Sequence, residues 1–372
     1  SPDGLLVTNF HVIADLALEP ERHRGVAVSM DGQEQAVSLL GFDVQHDLAL
    51  LRVAPSPGQT PAPHGVLPLR PAALPLQAGE RIFSLGNPLD VGFAITEGSY
   101  NGLVQRSFYP RIFFGGALNP GMSGGPALDA QGRVIGVNVA KRSDAEQVSF
   151  LVPVQFVAQL LAASSQAQPI TQAAHARIAR QLTAHQQAVS DRVLAPPEHS
   201  ERFGPYRVRV PDPKLARCWG DGRARQSSSR LDYEISNCRL DTDVLIGETP
   251  TGSLSVRYES YDGAELSPWQ FAARYSSSFG DEPMRLKSDA VRTAAECTEA
   301  FVGSQALPLR AVMCLSAYRK FDQLYDMNLI AVTLDAQQRG LLMRVDMAGV
   351  NLANAKRVAR AYLHGVLREA KP

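Results

Sequence analysis

Asn119-Pro120-Gly121-Met122-Ser123-Gly124-Gly125-Pro126 sets one hydroxyl in a run of small residues of the kind that close backbone approach demands. Gly121 and Gly124 admit dihedral angles closed to residues with a side chain. The backbone N–H groups of Gly121 and Ser123 can therefore converge on one point. Two convergent donors beside a hydroxyl make an oxyanion hole. Read alone, the stretch also fits a glycine-rich turn carrying a solvated serine. Two upstream segments change that reading. Thr8-Asn9-Phe10-His11-Val12 and His46-Asp47-Leu48-Ala49-Leu50-Leu51 place a histidine and an aspartate in apolar, strand-like runs. Together they offer a base, His11, and an orienting carboxylate, Asp47, for the hydroxyl of Ser123.

On these segments the chain resembles the trypsin-like serine proteases, and among them the HtrA/Deg type. The resemblance runs from about Asp3 to Val157 and rests on five strings in order. They are DGLLVTNFHVI, HDLALLRV, GNP at Gly86 to Pro88, NPGMSGGPALDAQGRVIGVNVA, and SFLVPV at Ser149 to Val154. The order His, Asp, Ser is that of chymotrypsin. The resemblance implies a mainly β protease domain over 1–163, built as a double barrel of the six-stranded type. In it His11, Asp47 and Ser123 form the catalytic triad, and the N–H groups of Gly121 and Ser123 form the oxyanion hole. It also implies protein or peptide substrates, no metal or cofactor, a periplasmic or secreted location in a bacterial envelope, and room for an oligomer.

The same comparison puts the floor of the substrate pocket six residues ahead of the serine, at Ala117 with Leu118 beside it, and Val139 near the site. No acid stands there. A preference for Arg or Lys needs a buried counter-charge, so small or medium aliphatic side chains are expected at the cleaved bond. Three departures qualify the resemblance. Met122 stands where the type usually has Asn, Val139 where many relatives carry a hydroxyl that helps hold the aspartate, and no PDZ-like sequence follows. Met122 also cannot receive a new N-terminal amine, so activation by cutting the chain is not expected. A pseudo-protease, a binding or sensor module that only keeps the fold, is the competing reading.

A chain of 372 residues has room for two or three domains, each with its own core. With 45% hydrophobic and 20% charged residues and zero formal net charge, nothing suggests a nucleic-acid partner. No apolar run reaches the length of a membrane span. In the family resembled, the turn Pro2-Asp3-Gly4 is the far end of a hairpin whose first arm would lie upstream of Ser1, with earlier strands of the first barrel before it. The first barrel is therefore expected to be incomplete, and the chain to be a fragment of a longer precursor with a signal peptide, poorly active when expressed alone.

Within the first barrel, Leu5 to Val12 is expected as a strand with His11 near its end. His23, His46 and His64 are expected as surface or loop residues. Val26 to Met30 and Gln35 to Phe42 read as a hairpin around Asp31-Gly32, and the proline-rich stretch Pro55 to Pro75 as an extended connection. Asp47 heads the apolar run Leu48 to Val53, where an unpaired carboxylate costs several kcal/mol. The second barrel begins near Gly79, and Pro153 to Ala163 is a terminal amphipathic helix.

Beyond it, 164–200 is expected as a helical linker, with Ile178, Leu182, Val189 and Val193 at helical spacing. Residues 201–372 read as an α+β domain. Its β runs are Tyr206 to Val210, Leu231 to Cys238, Ser253 to Tyr261, Leu309 to Tyr318, Leu324 to Leu334 and Leu341 to Val345, and Asn354 to Arg368 is a closing helix. Trp219, Tyr258, Tyr261, Trp269 and Tyr275 are core residues or line a groove. Cys218, Cys238, Cys297 and Cys314 all fall here, without the paired spacing of a zinc site. For a chain resembling envelope proteases, disulfides are expected. Of the three connectivities, the most local is Cys218 with Cys238 and Cys297 with Cys314.

Overall fold

Short apolar runs punctuated by glycine and proline turns give a chain rich in antiparallel strands. The computed structural model describes residues 3–54, 65–141, 148–223, 231–240, 242, 244–246, 249–279, 288–334 and 337–369. Residues 55–64 of the proline-rich stretch, with His64, lie outside the described residues. The chain forms two compact units, 1–181 with 244–250, and 182–243 with 251–372.

The first unit opens with β1 (Leu5–Thr8), the short helix α1 (Ala14–Leu18), β2 (Gly25–Val28), β3 (Glu34–Asp43) and β4 (Leu48–Val53). These strands form an open antiparallel sheet in the order β1-β4-β3-β2. Six further strands, β5 (Arg81–Gly86), β6 (Ala94–Leu103), β7 (Ile112–Phe114), β8 (Pro126–Leu128), β9 (Val134–Lys141) and β10 (Ser149–Pro153), close into a barrel. Closure pairs every edge. The expected pair of barrels is thus one closed barrel and one open sheet. Ile82, Ile112, Phe114, Met122, Ile135 and Leu151 fill the barrel. A second cluster joins Leu40, Leu48 and Leu50 of the sheet to Val137, Val152 and Phe156. β4 is buried at every position except Arg52 because it is packed on both faces.

Helix α2 (Val154–Ser164) follows, burying Phe156, Val157 and Leu160. The expected linker does not leave at this point. Ser165 O accepts Arg52 Nη2 at 2.6 Å, Ile170 N donates to Leu39 O at 2.7 Å, and Ala174 N donates to Ala17 O at 2.8 Å. Helix α3 (His175–Leu194) then begins against the same sheet. The Gln181 side chain accepts from Val44 N at 2.7 Å and donates to Phe42 O at 3.0 Å. These bonds satisfy main-chain groups at the end of β3, so residues 164–181 belong to the first unit.

After α3 come β11 (Ser200–Phe203), β12 (Tyr206–Arg209), β13 (Arg217–Arg223), β14 (Asp232–Leu240), β15 (Val244–Ile246), β16 (Thr249–Thr251) and β17 (Leu254–Asp262). Helix α4 (Pro268–Ser278) precedes β18 (Glu296–Ser304), β19 (Leu307–Ala317), β20 (Tyr325–Thr333) and β21 (Arg339–Val350). Helix α5 (Leu352–His364) and β22 (Leu367–Arg368) end the chain. The second unit is built on a seven-stranded antiparallel sheet, β13-β14-β17-β21-β20-β19-β18, beside a small sheet β11-β12-β22. A capping box between Ser267 and Gln270, with Pro268 in the first turn, starts α4. Phe271 and Tyr275 on α4 pack over Val312, Ile330, Val332 and Leu342 of the sheet. Tyr258, Tyr261 and Tyr275 are core residues, whereas Trp219 and Trp269 are exposed.

Both edge strands of this sheet bury little. β18 is exposed at nearly every position, and Arg217 to Gly220 of β13 are exposed throughout. Each edge is tied to its neighbour by a disulfide between directly opposite residues, Cys218–Cys238 and Cys297–Cys314. Cys238 and Cys314 are buried on the inner strands. The covalent links therefore hold strands that apolar burial does not. Replacing Cys297 and Cys314 by Ser and Ala should lower stability by about 3 kcal/mol and speed amide exchange through 296–304 ahead of the inner strands. Unchanged exchange in β18 would show that the ladder to β19 suffices.

Candidate active site

The strand expected to carry His11 stops earlier. β1 ends at Thr8, Asn9 and Phe10 turn the chain while fully buried, and His11 opens a single 3-10 turn, His11–Ile13, that runs into α1. Ala14 to Leu18 are good helix formers and follow a buried Asn that turns readily, so strand pairing ends here. His11 Nδ1 lies 2.7 Å from Asp47 Oδ2, and His11 N donates to Asp47 Oδ1 at 2.8 Å. A carboxylate only accepts, so the ring proton sits on Nδ1 and Nε2 is left for other chemistry.

Asp47 is 2% exposed and holds a positive φ of 58° at the turn into β4. Its two bonds from His11 offset the desolvation of the buried charge. Asn9 Nδ2 donates to Asp47 O at 2.9 Å and fixes the turn itself. Asn9 was not legible as a functional residue; its only signal is a small polar side chain two positions before the histidine. His46 is turned away from this pair. Its Nδ1 meets Asp43 Oδ2 at 2.6 Å and its ring stacks on Phe156 at 3.7 Å.

The serine loop belongs to the closed barrel. Gly121 and Gly124 both have positive φ, 93° and 82°. A Cβ on Gly121 would fall 2.3 Å from Asn87 O, and one on Gly124 would fall 2.1 Å from Thr8 Oγ1. Gly124 thus packs on the segment that leads to His11. Beneath the loop, Asn138 is fully buried. Its Nδ2 donates to Leu85 O at 3.0 Å and Met122 O at 3.1 Å, while Ser84 Oγ donates to its Oδ1 at 2.8 Å. Gly124 N donates to Asn138 O at 3.0 Å.

The Met122 side chain fills the barrel core. Met122 N donates to Asn119 O and Gly125 N to Met122 O. Among the described residues the N–H groups of Gly121 and Ser123 have no such acceptor, and the half-buried Ser123 hydroxyl makes no hydrogen bond to His11. The structure therefore joins His11 to Asp47 directly and sets the serine loop against Thr8 without a bond between hydroxyl and imidazole.

The three expected pocket residues separate. Ala117 is exposed, Leu118 is buried with Ile82, Phe114 and Met122, and Val139 is half-buried against the cluster of Leu40, Leu48 and Leu50. Leu118 and Val139 do packing work, which leaves Ala117 as the open position.

Residues 1–137 match a family model described as a trypsin-like peptidase domain. The chain is 33% identical over 167 residues to Protease Do-like 1, chloroplastic, of Arabidopsis thaliana, a match covering 41% of this chain and 35% of that protein. It is 32% identical over 150 residues to a probable periplasmic serine endoprotease DegP-like of Chlamydia pneumoniae, covering 38% of this chain and 27% of that protein. Among solved structures, the HtrA-type protease AlgW with decapeptide aligns at 27% identity and a TM-score of 0.38, over 44% of this chain and 49% of that chain. The chain spans about a third of the length of the curated relatives it matches. The match to a trypsin-like peptidase domain and the likeness to Do-like and DegP-like proteases thus both fall on the N-terminal part of the chain.

The packing of Gly124 on Thr8 gives a testable coupling. Gly124→Ala should destabilise the protein by about 2 kcal/mol, from a strained positive φ plus the overlap. Thr8→Ala, which removes the overlapping Oγ1, should restore part of that loss in the double variant. Thermal unfolding of the four proteins measures it, and strictly additive effects would contradict the contact.

Proposed function

We propose that the protein is a serine endopeptidase that cleaves protein substrates through an acyl-enzyme, with Ser123 as nucleophile, His11 as general base and Asp47 as its orienting carboxylate. The observation that carries this reading is the pair of half-buried His11 and buried Asp47, in which Nδ1 faces the carboxylate and the other ring nitrogen is left for other chemistry. Ser123 Oγ attacks the peptide carbonyl as Nε2 takes its proton, and Asp47 stabilises the imidazolium that forms. The oxyanion would be held by the N–H groups of Gly121 and Ser123, each worth about 3 to 4 kcal/mol. His11 then delivers its proton to the leaving amine, and water repeats the cycle on the acyl-enzyme.

The periplasmic location in the name of the Chlamydia pneumoniae relative and the two disulfides support an envelope or secreted location, where protein processing or quality control is the role we propose. A second reading, a pseudo-protease that binds without cutting, is favoured by one observation, the Ser123 hydroxyl that is not bonded to His11. Substrate binding would have to complete the alignment, as it does where catalytic bonds are loose without ligand.

Ser123→Ala or His11→Ala should lower casein turnover by ~10^6-fold. Retention of most activity in either variant would refute the triad, and no activity in the parent protein would favour the binding module. Ala117 and the absence of an acid beside it predict cleavage after Val, Ala or Leu. Mass-spectrometric mapping of cleaved casein checks this, and a dominant Arg or Lys signature would contradict it.

A further inference from the structure

The peptide units before and after Asp47 are each held by a buried side chain from elsewhere in the first unit. On the sheet side Asn9, fully buried, donates from Nδ2 to Asp47 O at 2.9 Å. On the barrel side Arg111 Nη1 donates to His46 O at 3.3 Å. Arg111 stands directly before β7 and is only 2% exposed. The segment that carries it makes a second contact with the turn. Tyr109 meets the His46 ring edge-on at 4.8 Å, and the same ring stacks on Phe156 at 3.7 Å.

This turn needs holding. Asp47 has a φ of 58°, in the left-handed region that costs a residue with a side chain about 1 to 2 kcal/mol. Its carboxylate must also meet His11 N at 2.8 Å and His11 Nδ1 at 2.7 Å together, so rotation of the peptide unit at either end would break one of the two bonds. Val139, where the resemblance leads one to expect a hydroxyl, has no hydrogen-bonding group to offer and packs in an apolar cluster. Burying a guanidinium costs several kcal/mol unless it is bonded. An apolar side chain of similar length would fill the space before β7 without that cost. What the arginine adds is its donors and charge, and one of those donors goes to the turn.

We infer that Arg111 is a positioning residue for the His11–Asp47 pair. With Asn9 it fixes the peptide units on both sides of Asp47 and so keeps the carboxylate on the imidazole. It acts through the main chain of the turn rather than on the reacting groups. Its importance for turnover rests on the proteolytic reading above. Its effect on the His11–Asp47 bond does not.

The test compares Arg111→Met, which keeps the length of the side chain and removes its donors, with Arg111→Lys, whose single ammonium replaces the guanidinium fork. Urea unfolding first sets conditions in which each variant is folded, so that lost stability is not read as lost position. The first measurement uses the full chain carrying Ser123→Ala and follows, by proton NMR, the low-field resonance of the proton between His11 Nδ1 and Asp47. Its loss in His11→Ala assigns it, because the His46–Asp43 pair at 2.6 Å supplies a second such proton. In Arg111→Met the His11 resonance should move upfield and broaden by exchange with water, and Arg111→Lys should fall between that variant and the parent. The second measurement keeps Ser123 and uses a chromogenic peptide with Val at the cleaved bond. There kcat should fall ~10- to 100-fold in Arg111→Met with KM within about 2-fold, and Arg111→Lys should recover part of the loss. A parental His11 resonance in either folded variant would overturn the inference, as would equal displacement in both, which a packing role alone would give. If the parent protein does not cleave the peptide, the second measurement falls with the proteolytic reading and the first still decides.

Discussion

The approach of Gly124 to Thr8 is the contact on which the site depends. It is the seam between two differently built halves. One is a closed barrel that carries Ser123, and the other is an open sheet whose first strand leads to His11. Any side chain at 124 would push the serine loop off Thr8, with the imidazole only three residues further on. A group displaced by an ångström loses most of its use in proton transfer. The glycine is therefore a spacer whose missing atoms let the Ser123 loop close on the segment that leads to His11.

Each side of the seam is held by a buried polar device. On the barrel side Asn138 ties Ser84, Leu85 and Met122 together under the serine. Removing its side chain would take the acceptor from the buried Ser84 hydroxyl and a donor from Leu85 O, while Met122 O keeps Gly125 N, at a cost of about 1 to 3 kcal/mol. On the sheet side Asp47 is desolvated but takes two hydrogen bonds from one residue, His11. Its own turn is pinned by Asn9. Val139, where the resemblance leads one to expect a hydroxyl, packs on the apolar cluster of Leu40, Leu48 and Leu50. Orientation of the carboxylate falls to the His11 main chain.

Much of the first unit was legible, because glycine, proline and paired polar residues at fixed offsets leave strong traces. The serine loop and the His11 and Asp47 segments could be read from residues, and the barrel from the resemblance they carry; in the second unit the cysteine pairing follows the most local of three open connectivities. What escaped reading depends on long-range register or on buried polar bonds. β13 and β18 were missed because exposed edge strands such as Glu296–Ser304 carry no apolar alternation. The return of 165–181 to the first sheet was missed because Gln181 looks like any polar helix residue until its side chain meets Val44 and Phe42. The bond from Arg111 to His46 O is invisible in sequence, where the two residues are far apart.

The central claim, that His11 and Asp47 activate Ser123, is tested most directly by labelling with a serine-directed fluorophosphonate followed by peptide mapping. Activation predicts a single modified peptide containing Ser123. Labelling should be lost in Ser123→Ala and strongly slowed in His11→Ala, with both variants folded as the parent. Labelling that spreads over many serines, or that persists unchanged without His11, would contradict it.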